Sequence, residues 1–357
     1  MSLRFAGAES GGGGLEDSTQ SFALPLGDMS RIGEARRLAG GVGTRAGLGA
    51  GEVSDLGIVV TEIASNAVRH GGGGELIVRR LSDGRPGVEL LVLDRGRGMA
   101  SVADCFRDGY STGGTMGTGL GAARRMAHAF DIYSQPGSGT VVVARVWAGG
   151  PPAPGTGREV AGICLPVAGE THSGDGWAAA TAEERSVVMV VDGLGHGPSA
   201  AEAARLAERL FRAHAARPAA EIMDFLHRGL KSTRGAAAAI AEIDGRAGRL
   251  RYAGVGNVAA RIVTDAGIRA LVSHNGIVGH QVSRIQGFEY PWLAGSTLIM
   301  HSDGITGHWK TEAWPGVMRR DPAIAAGLIY RDFSRERDDS TVVVIRHSNH
   351  RTAPSLT

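Results

Sequence analysis

The sequence predicts an α+β protein of two domains: a helix-on-sheet sandwich, then stacked sheets flanked by helices. Three observations carry this expectation. At 357 residues the chain exceeds one ordinary domain of roughly 100–200 residues. The run Gly149-Gly150-Pro151-Pro152-Ala153-Pro154-Gly155 breaks the pattern near the middle, where prolines remove N–H donors and glycines remove stiffness. On both sides of that run, apolar residues recur at helix and strand spacings. The expected layout is a flexible tail over 1–20, a domain over 21–147, a linker over 148–158, a second domain over 159–347 and a tail over 348–357.

The elements follow in order. Phe22, Leu24 and Leu26 alternate as in a strand, and helical composition runs from Ser30 to about Arg45. Leu56, Val59, Val60, Ile63, Ala67 and Val68 recur at three- and four-residue steps, which predicts a helix over 53–70 that stops at Gly71–Gly74. Strands over 76–81, 88–93 and 141–146 and a helix over 120–129 complete the first sandwich. Beyond the linker, strands are predicted at 161–167 and 186–191, then helices at 198–215 and 219–231. Further strands are predicted at 236–243, 250–254, 259–263, 297–300 and 341–345.

Composition narrows the function classes. With 43% hydrophobic and 21% charged residues, the chain can bury a core and is not of disordered type. Aromatics make up only 5% against 56 glycines, so Ala, Val, Leu and Ile must fill the cores, leaving many glycines for turns and ligand loops. A net charge of +2 without a Lys/Arg block offers nothing to neutralise a run of phosphates, so nucleic acid is not an expected partner. Cys105 and Cys164 stand alone, without metal-ligand spacing, which excludes a disulfide framework and fits a reducing cytoplasm. Apolar stretches are of strand length, so neither a signal peptide nor a membrane span is expected.

On the helix predicted over 53–70, Glu62, Asn66 and Arg69 project from the face opposite the apolar one. An acid that takes a hydroxyl proton and an amide oxygen that holds magnesium are what phosphoryl transfer from ATP needs. Asp94-Arg95-Gly96-Arg97-Gly98 follows an apolar strand, setting a carboxylate at a strand end among glycines where an adenine amino group can bond it. Gly117-Thr118-Gly119-Leu120-Gly121 then runs into a helix, whose N-terminal N–H groups suit phosphates.

These three elements, in this order, resemble the N, G1 and G2 boxes of the GHKL (Bergerat) ATPase fold over about 22–147. Asp108-Gly109-Tyr110-Ser111-Thr112 and Gly139-Thr140 add a resemblance to serine kinases of bacterial stress signalling, the stressosome switch kinases and anti-sigma factors. The resemblance implies Glu62 as general base, Asn66 as magnesium ligand and Asp94 as adenine contact. It implies Gly96, Gly98, Gly117, Thr118, Gly119, Leu120 and Gly121 as nucleotide loops, with Arg69 beside them. Only about fifty residues precede the Glu62 helix, which leaves no room for the phosphoacceptor module of a sensor histidine kinase. His70 reads as a helix-end or loop residue.

Four acidic positions stand out in the second half: Asp175, Asp192, Asp303 and the doublet Asp338-Asp339. Three of them adjoin predicted strands and glycines, and carboxylates so placed can converge on hard divalent cations. Their order resembles the PPM (protein phosphatase 2C) family, in its bacterial sporulation and stress-response branch, over about 162–346. This implies a β-sandwich flanked by helices in which Asp175, Asp192, Asp303, Asp338 and the Gly193 carbonyl hold two Mn²⁺ or Mg²⁺ ions. Asp339 is the alternative to Asp338. His196 acts near the leaving group or fixes its loop; Asn257 and His274-Asn275 read as turn residues.

Together the two resemblances imply an ATP- and Mg²⁺-dependent serine/threonine kinase fused to a metal-dependent phosphatase. Both would act on small STAS-domain partners in a stress or sigma-factor switch. Two alternatives stand beside this: a GHKL half that binds ATP and captures a partner without phosphate transfer, and one that senses ATP to regulate the phosphatase.

Overall fold

The computed structural model describes residues 4–6, 19–81, 85–106, 119–152, 158–182 and 184–347. These divide into two compact units, and neither is continuous in sequence. One comprises 21–152 with 312–328; the other comprises 4–6, 19–20, 158–311 and 329–347.

Strand β1 (Arg4–Ala6) belongs to the second unit. The first unit opens with β2 (Phe22–Leu26), α1 (Arg31–Arg45) and α2 (Ala50–Gly71). It continues through β3 (Gly74–Leu81), β4 (Gly87–Leu93), α3 (Gly119–Met126), β5 (Ala129–Gln135) and β6 (Gly139–Trp147). Its sheet runs β2-β3-β4-β6-β5. Alternation sends Leu76, Val78, Leu90, Val92, Val142 and Ala144 to one side, where they pack with Leu56, Val59, Val60 and Ile63 of α2. A Glu52 carboxylate oxygen accepts the N–H of Gly49 at 2.6 Å and closes the first turn of α2, and Gly72, left-handed at φ 70°, ends the helix. The opposite side of the sheet is buried too. Leu91, Leu93 and Val141 lie 2.9–3.3 Å from where a side chain on Gly327 would begin, so the 312–328 segment covers them.

The helix predicted over 120–129 ends early, and 129–135, not predicted as a strand, forms the edge strand β5.

The second unit contains β7 (Arg158–Leu165), β8 (Asp175–Ala182), β9 (Arg185–Gly193), α4 (Pro198–His214) and α5 (Ala219–Gly229). Then come β10 (Ala236–Asp244), β11 (Arg249–Val255), β12 (Ala259–Thr264), β13 (Gly267–Ala270) and β14 (Phe288–Pro291). The chain ends its regular structure with β15 (Thr297–His301), α6 (Pro322–Phe333), whose first part lies in the other unit, and β16 (Ser340–His347). A six-stranded sheet, β1-β8-β9-β10-β11-β14, and a five-stranded one, β13-β12-β15-β16-β7, enclose Trp177, Val188, Val190, Tyr252, Leu298, Met300 and Val343. Trp177 is fully buried against the bare backbone of Gly162, where a methyl group would meet its indole at 2.5 Å. The outer face of the six-stranded sheet buries Val187, Met189 and Val191 against Ala207, Phe211, Ile222 and Leu226 of α4 and α5.

The tail expected over 1–20 is corrected at both described stretches. Arg4–Ala6 pairs antiparallel with Thr181–Ala179 at a sheet edge. Thr19 Oγ1 donates to the Trp177 carbonyl at 2.8 Å, and Gln20 Nε2 donates to the Thr171 carbonyl at 2.9 Å. Exposed strand edges and buried carbonyls need partners, and these residues supply them. The Pro/Gly run is not a clean divide either, because 312–328 lies far beyond it and belongs to the first unit. Residues 153–157 of the expected linker, and 348–357, lie outside the described residues.

Candidate nucleotide and metal sites

Glu62 and Asn66 sit one turn apart on α2, half-buried, where α2 meets the start of α3. A methyl group on Gly119 would come 2.6 Å from a Glu62 carboxylate oxygen and 3.9 Å from the Asn66 amide nitrogen. The glycine leaves that gap open without displacing the carboxylate, so an acid, an amide and the first turn of α3 share one small volume. Leu120 and Gly121 follow inside α3, both buried; Gly117 and Thr118 lie outside the described residues, as does the stretch from Asp108 to Thr112.

Asp94 lies at the end of β4 and is 9% exposed. Its Oδ1 accepts the N–H of Gly96 at 2.8 Å and that of Thr140 at 3.2 Å, which fixes the carboxyl plane. Gly96 packs on the backbone of Gly71 at the end of α2, and Gly98, at φ 65°, packs on the Gln135 carbonyl. The two glycines therefore draw the loop carrying Asp94 against α2 and β5. Arg69 is exposed on the last turn of α2. Burial, then Arg97 and Arg69, hold the neighbouring His70 below the ordinary imidazole range.

In the second unit, Asp175 and Asp192 are direct cross-strand partners at the ends of β8 and β9. Gly193 donates its N–H to the Gly174 carbonyl at 2.9 Å, and a side chain there would strike the Ala200 carbonyl at 2.5 Å. Asp303 follows β15 and accepts from Asn257 Nδ2 at 2.6 Å, so Asn257 supports a carboxylate and is no mere turn residue. The doublet divides: Asp339 is buried and accepts the N–H groups of Val167 and Gly174, both at 2.7 Å, one on each oxygen. Asp338 is half-exposed, and burial and the charge of Asp303 raise its pKa. His196 is exposed and bonds Glu170 Oε1 at 3.0 Å through Nδ1.

Burial first, and then the charges of Asp303, Asp338 and Asp339, push Asp192 up to about 7. Asp175 is raised well above the carboxylate range by burial and by Asp192. One of its oxygens, Oδ2, is buried without a hydrogen-bond partner. Among the described residues, no three His, Cys, Asp or Glu side chains are gathered into a metal-holding group. The fold instead brings the acids together as mutually repelling neighbours. An all-oxygen set with a buried unpartnered oxygen and raised pKa values fits hard divalent cations, which satisfy both needs at once.

A GHKL-like ATPase fold followed by a PPM-like β-sandwich phosphatase fold is the class these features define. Residues 27–146 match the family described as histidine kinase-like ATPase domain, and residues 182–348 match stage II sporulation protein E (SpoIIE). The serine/threonine-protein kinase RsbT of Bacillus subtilis is 29% identical over 114 residues, covering 32% of this chain and 86% of RsbT. A solved chain from work on the bacterial stressosome, as a modular system adapted to control secondary messenger signalling, is 30% identical. It covers 53% of this chain and 99% of its own, with a TM-score of 0.49. The structure of the PP2C phosphatase domain and a fragment of the regulatory domain of Bacillus subtilis SpoIIE is 16% identical. It covers 74% of this chain and 80% of its own, with a TM-score of 0.45. Among the described residues, no helix is long and apolar enough to cross a membrane.

Proposed function

We propose that this chain phosphorylates and dephosphorylates serine or threonine in small STAS-type partner proteins, as a bifunctional switch in a cytoplasmic stress or sigma-factor circuit. The observation that carries the kinase half is the meeting of Glu62, Asn66 and Gly119. A nucleotide-binding domain that only captured a partner would have no use for an acid beside the phosphate end. In this reading Glu62 takes the proton from the acceptor hydroxyl, Asn66 would hold Mg²⁺, and Asp94 bonds the adenine amino group. The glycines of the two loops admit the nucleotide closely. Asp175, Asp192, Asp303, Asp338 and the Gly193 carbonyl would hold two Mn²⁺ or Mg²⁺ ions, with Asp339 anchoring the loop by its backbone bonds. When bound, such ions lower the pKa of water and clamp phosphoryl oxygens. A phosphoserine adds nearly two negative charges at one contact, enough to change which partner a STAS protein binds.

The test is incubation of the purified chain with γ-labelled ATP, Mg²⁺ and a panel of STAS proteins, followed by Mn²⁺ chase. Label should enter a serine or threonine and then leave as phosphate. Absence of transfer to every acceptor, with ATP still bound, would return the first domain to a sensing or capturing role.

A further inference from the structure

We propose that a cavity beside the acidic cluster is a subsite for an apolar side chain next to the phosphorylated residue of the substrate. This rests on the phosphatase reading and adds a sequence preference to it. The cavity has a volume of about 390 Å³, and its wall includes Leu194, Ala237, Ile277, Asn257 and Asn275. It adjoins the acids through two residues. Leu194 directly follows the Asp192-Gly193 pair, and Asn257 is the residue whose amide holds Asp303 at 2.6 Å. A peptide with its phosphate at the acids therefore passes the mouth of the cavity within a residue or so.

The wall chemistry selects the occupant. Among the described residues no charged side chain lines the cavity, and Leu194, Ala237 and Ile277 give it apolar surface. Leu194 is 39% exposed although its N–H is tied to the Gly235 carbonyl at 3.1 Å, so an apolar group is held facing solvent beside a charged centre. The two carboxamides provide donors and acceptors for a peptide backbone. A flanking Asp would be partly desolvated there with no charged side chain in the wall to pair with it, whereas a Leu or Ile has no charge to desolvate.

The cavity is also rigidly built. His274 donates to the Gly254 carbonyl at 2.9 Å and accepts at its own carbonyl from Gly256 at 2.8 Å. Ala236 and Val278 exchange bonds of 3.0 and 2.8 Å, and Ile277 donates to the Gln281 carbonyl at 2.7 Å. The loop over 274–281 is thus held by backbone bonds within this unit, which lowers the ordering cost of a peptide docking there.

The experiment uses the full chain with Mn²⁺ and three substrates: p-nitrophenyl phosphate, a phosphoserine heptapeptide with Leu on both sides of the phosphoserine, and the same peptide with Asp there. Wild-type protein should favour the Leu peptide by roughly tenfold in kcat/KM, the scale of one apolar contact. Ile277→Ala and Asn275→Ala should each shrink that preference by raising KM for the Leu peptide, while p-nitrophenyl phosphate turnover stays unchanged. A preference that is absent, or that survives both variants, overturns the subsite. So does an equal loss on all three substrates, which would locate the effect at the acids. Failure to hydrolyse even p-nitrophenyl phosphate would instead remove the phosphatase reading on which the subsite rests.

Discussion

Glu62 and Asp94 serve opposite ends of the proposed nucleotide site, so changing each separates transfer from binding. Glu62→Ala should leave ATP affinity nearly intact and slow transfer by roughly 10²–10⁴-fold, the usual scale for a positioned base. Asp94→Asn should instead weaken ATP by roughly tenfold or more, because a charged acceptor is lost where it is largely buried. Single-turnover transfer and equilibrium ATP titration read the two effects, and wild-type transfer by Glu62→Ala would refute the base. Glu208 offers a test of stability instead of catalysis. It is buried on α4 with Oε1 2.9 Å from Thr19 Oγ1, and burial raises it to about 7 against the pull of Arg212 and Thr19. A carboxyl raised in the folded state favours folding while the proton stays on, so its contribution is full below the unfolded value of 4.5 and fades as pH rises towards 7. Denaturant melts at pH 5 and pH 8 should show wild type losing on the order of 3 kcal/mol more than Glu208→Gln. Parallel losses in both proteins would mean that Glu208 ionises freely. At this scale the sequence is legible in part. Glu62 and Asn66 could be read from four-residue spacing, but the nearness of Gly119 depends on how two helices meet. Asn257 sits in a glycine-rich turn whose bond to Asp303 spans 46 positions, and nothing local announces it.

Between β3, β4, β6 and the start of α6, charge is threaded through apolar packing. Arg79 Nε donates to Glu89 at 3.0 Å, Arg145 Nε donates to the other Glu89 oxygen at 2.7 Å, and Arg145 also grips Asp321 in a bidentate pair. Burial alone would raise Glu89, but Arg79 and Arg145 bring it below its ordinary value. Asp321 also accepts the N–H of Ala323 at 2.9 Å and so caps α6. Asp321→Ala should therefore destabilise the first unit by about 1–3 kcal/mol, because Arg145 keeps Glu89 but loses its bidentate partner and α6 loses its cap. Calorimetry should show its transition move down while Asp321→Asn, which keeps the cap acceptor, moves less. An unshifted transition would show that the pair contributes nothing. Element prediction succeeded where periodicity was strong, as in α2 and the valine-rich β6 and β9. It missed β8 because Trp177-Ala178-Ala179-Ala180-Thr181 carries helix-favouring alanines; sheet pairing on both edges and burial on both faces override that local preference. The helix predicted over 120–129 overruns α3 into the first residue of β5, since Ala127 and Ala129 give no stop signal, and no strand is predicted over 130–135.

For the molecule as a whole, the two proposed activities should be separable by mutation. Asp192→Asn and Asp303→Asn keep size but remove charge from a site proposed to hold two divalent cations, so dephosphorylation should collapse while phosphorylation through Glu62 continues. A mass-spectrometric time course should show phosphorylated partner accumulating above the wild-type level. Unchanged dephosphorylation in both variants would sink the two-metal site, and loss of phosphorylation as well would show coupling between the domains. Separability by mutation does not extend to separability by cutting, because the chain re-enters the first unit at 312–328 after building most of the second. That re-entry ties the sequence of one unit to residues that follow most of the other. Leu91, Leu93 and Val141 stand within 3.3 Å of any side chain begun at Gly327, so a larger residue there has to displace the ends of those side chains. An exchange of residues 21–152 for the matching stretch of another protein must therefore bring a compatible 312–328 segment with it.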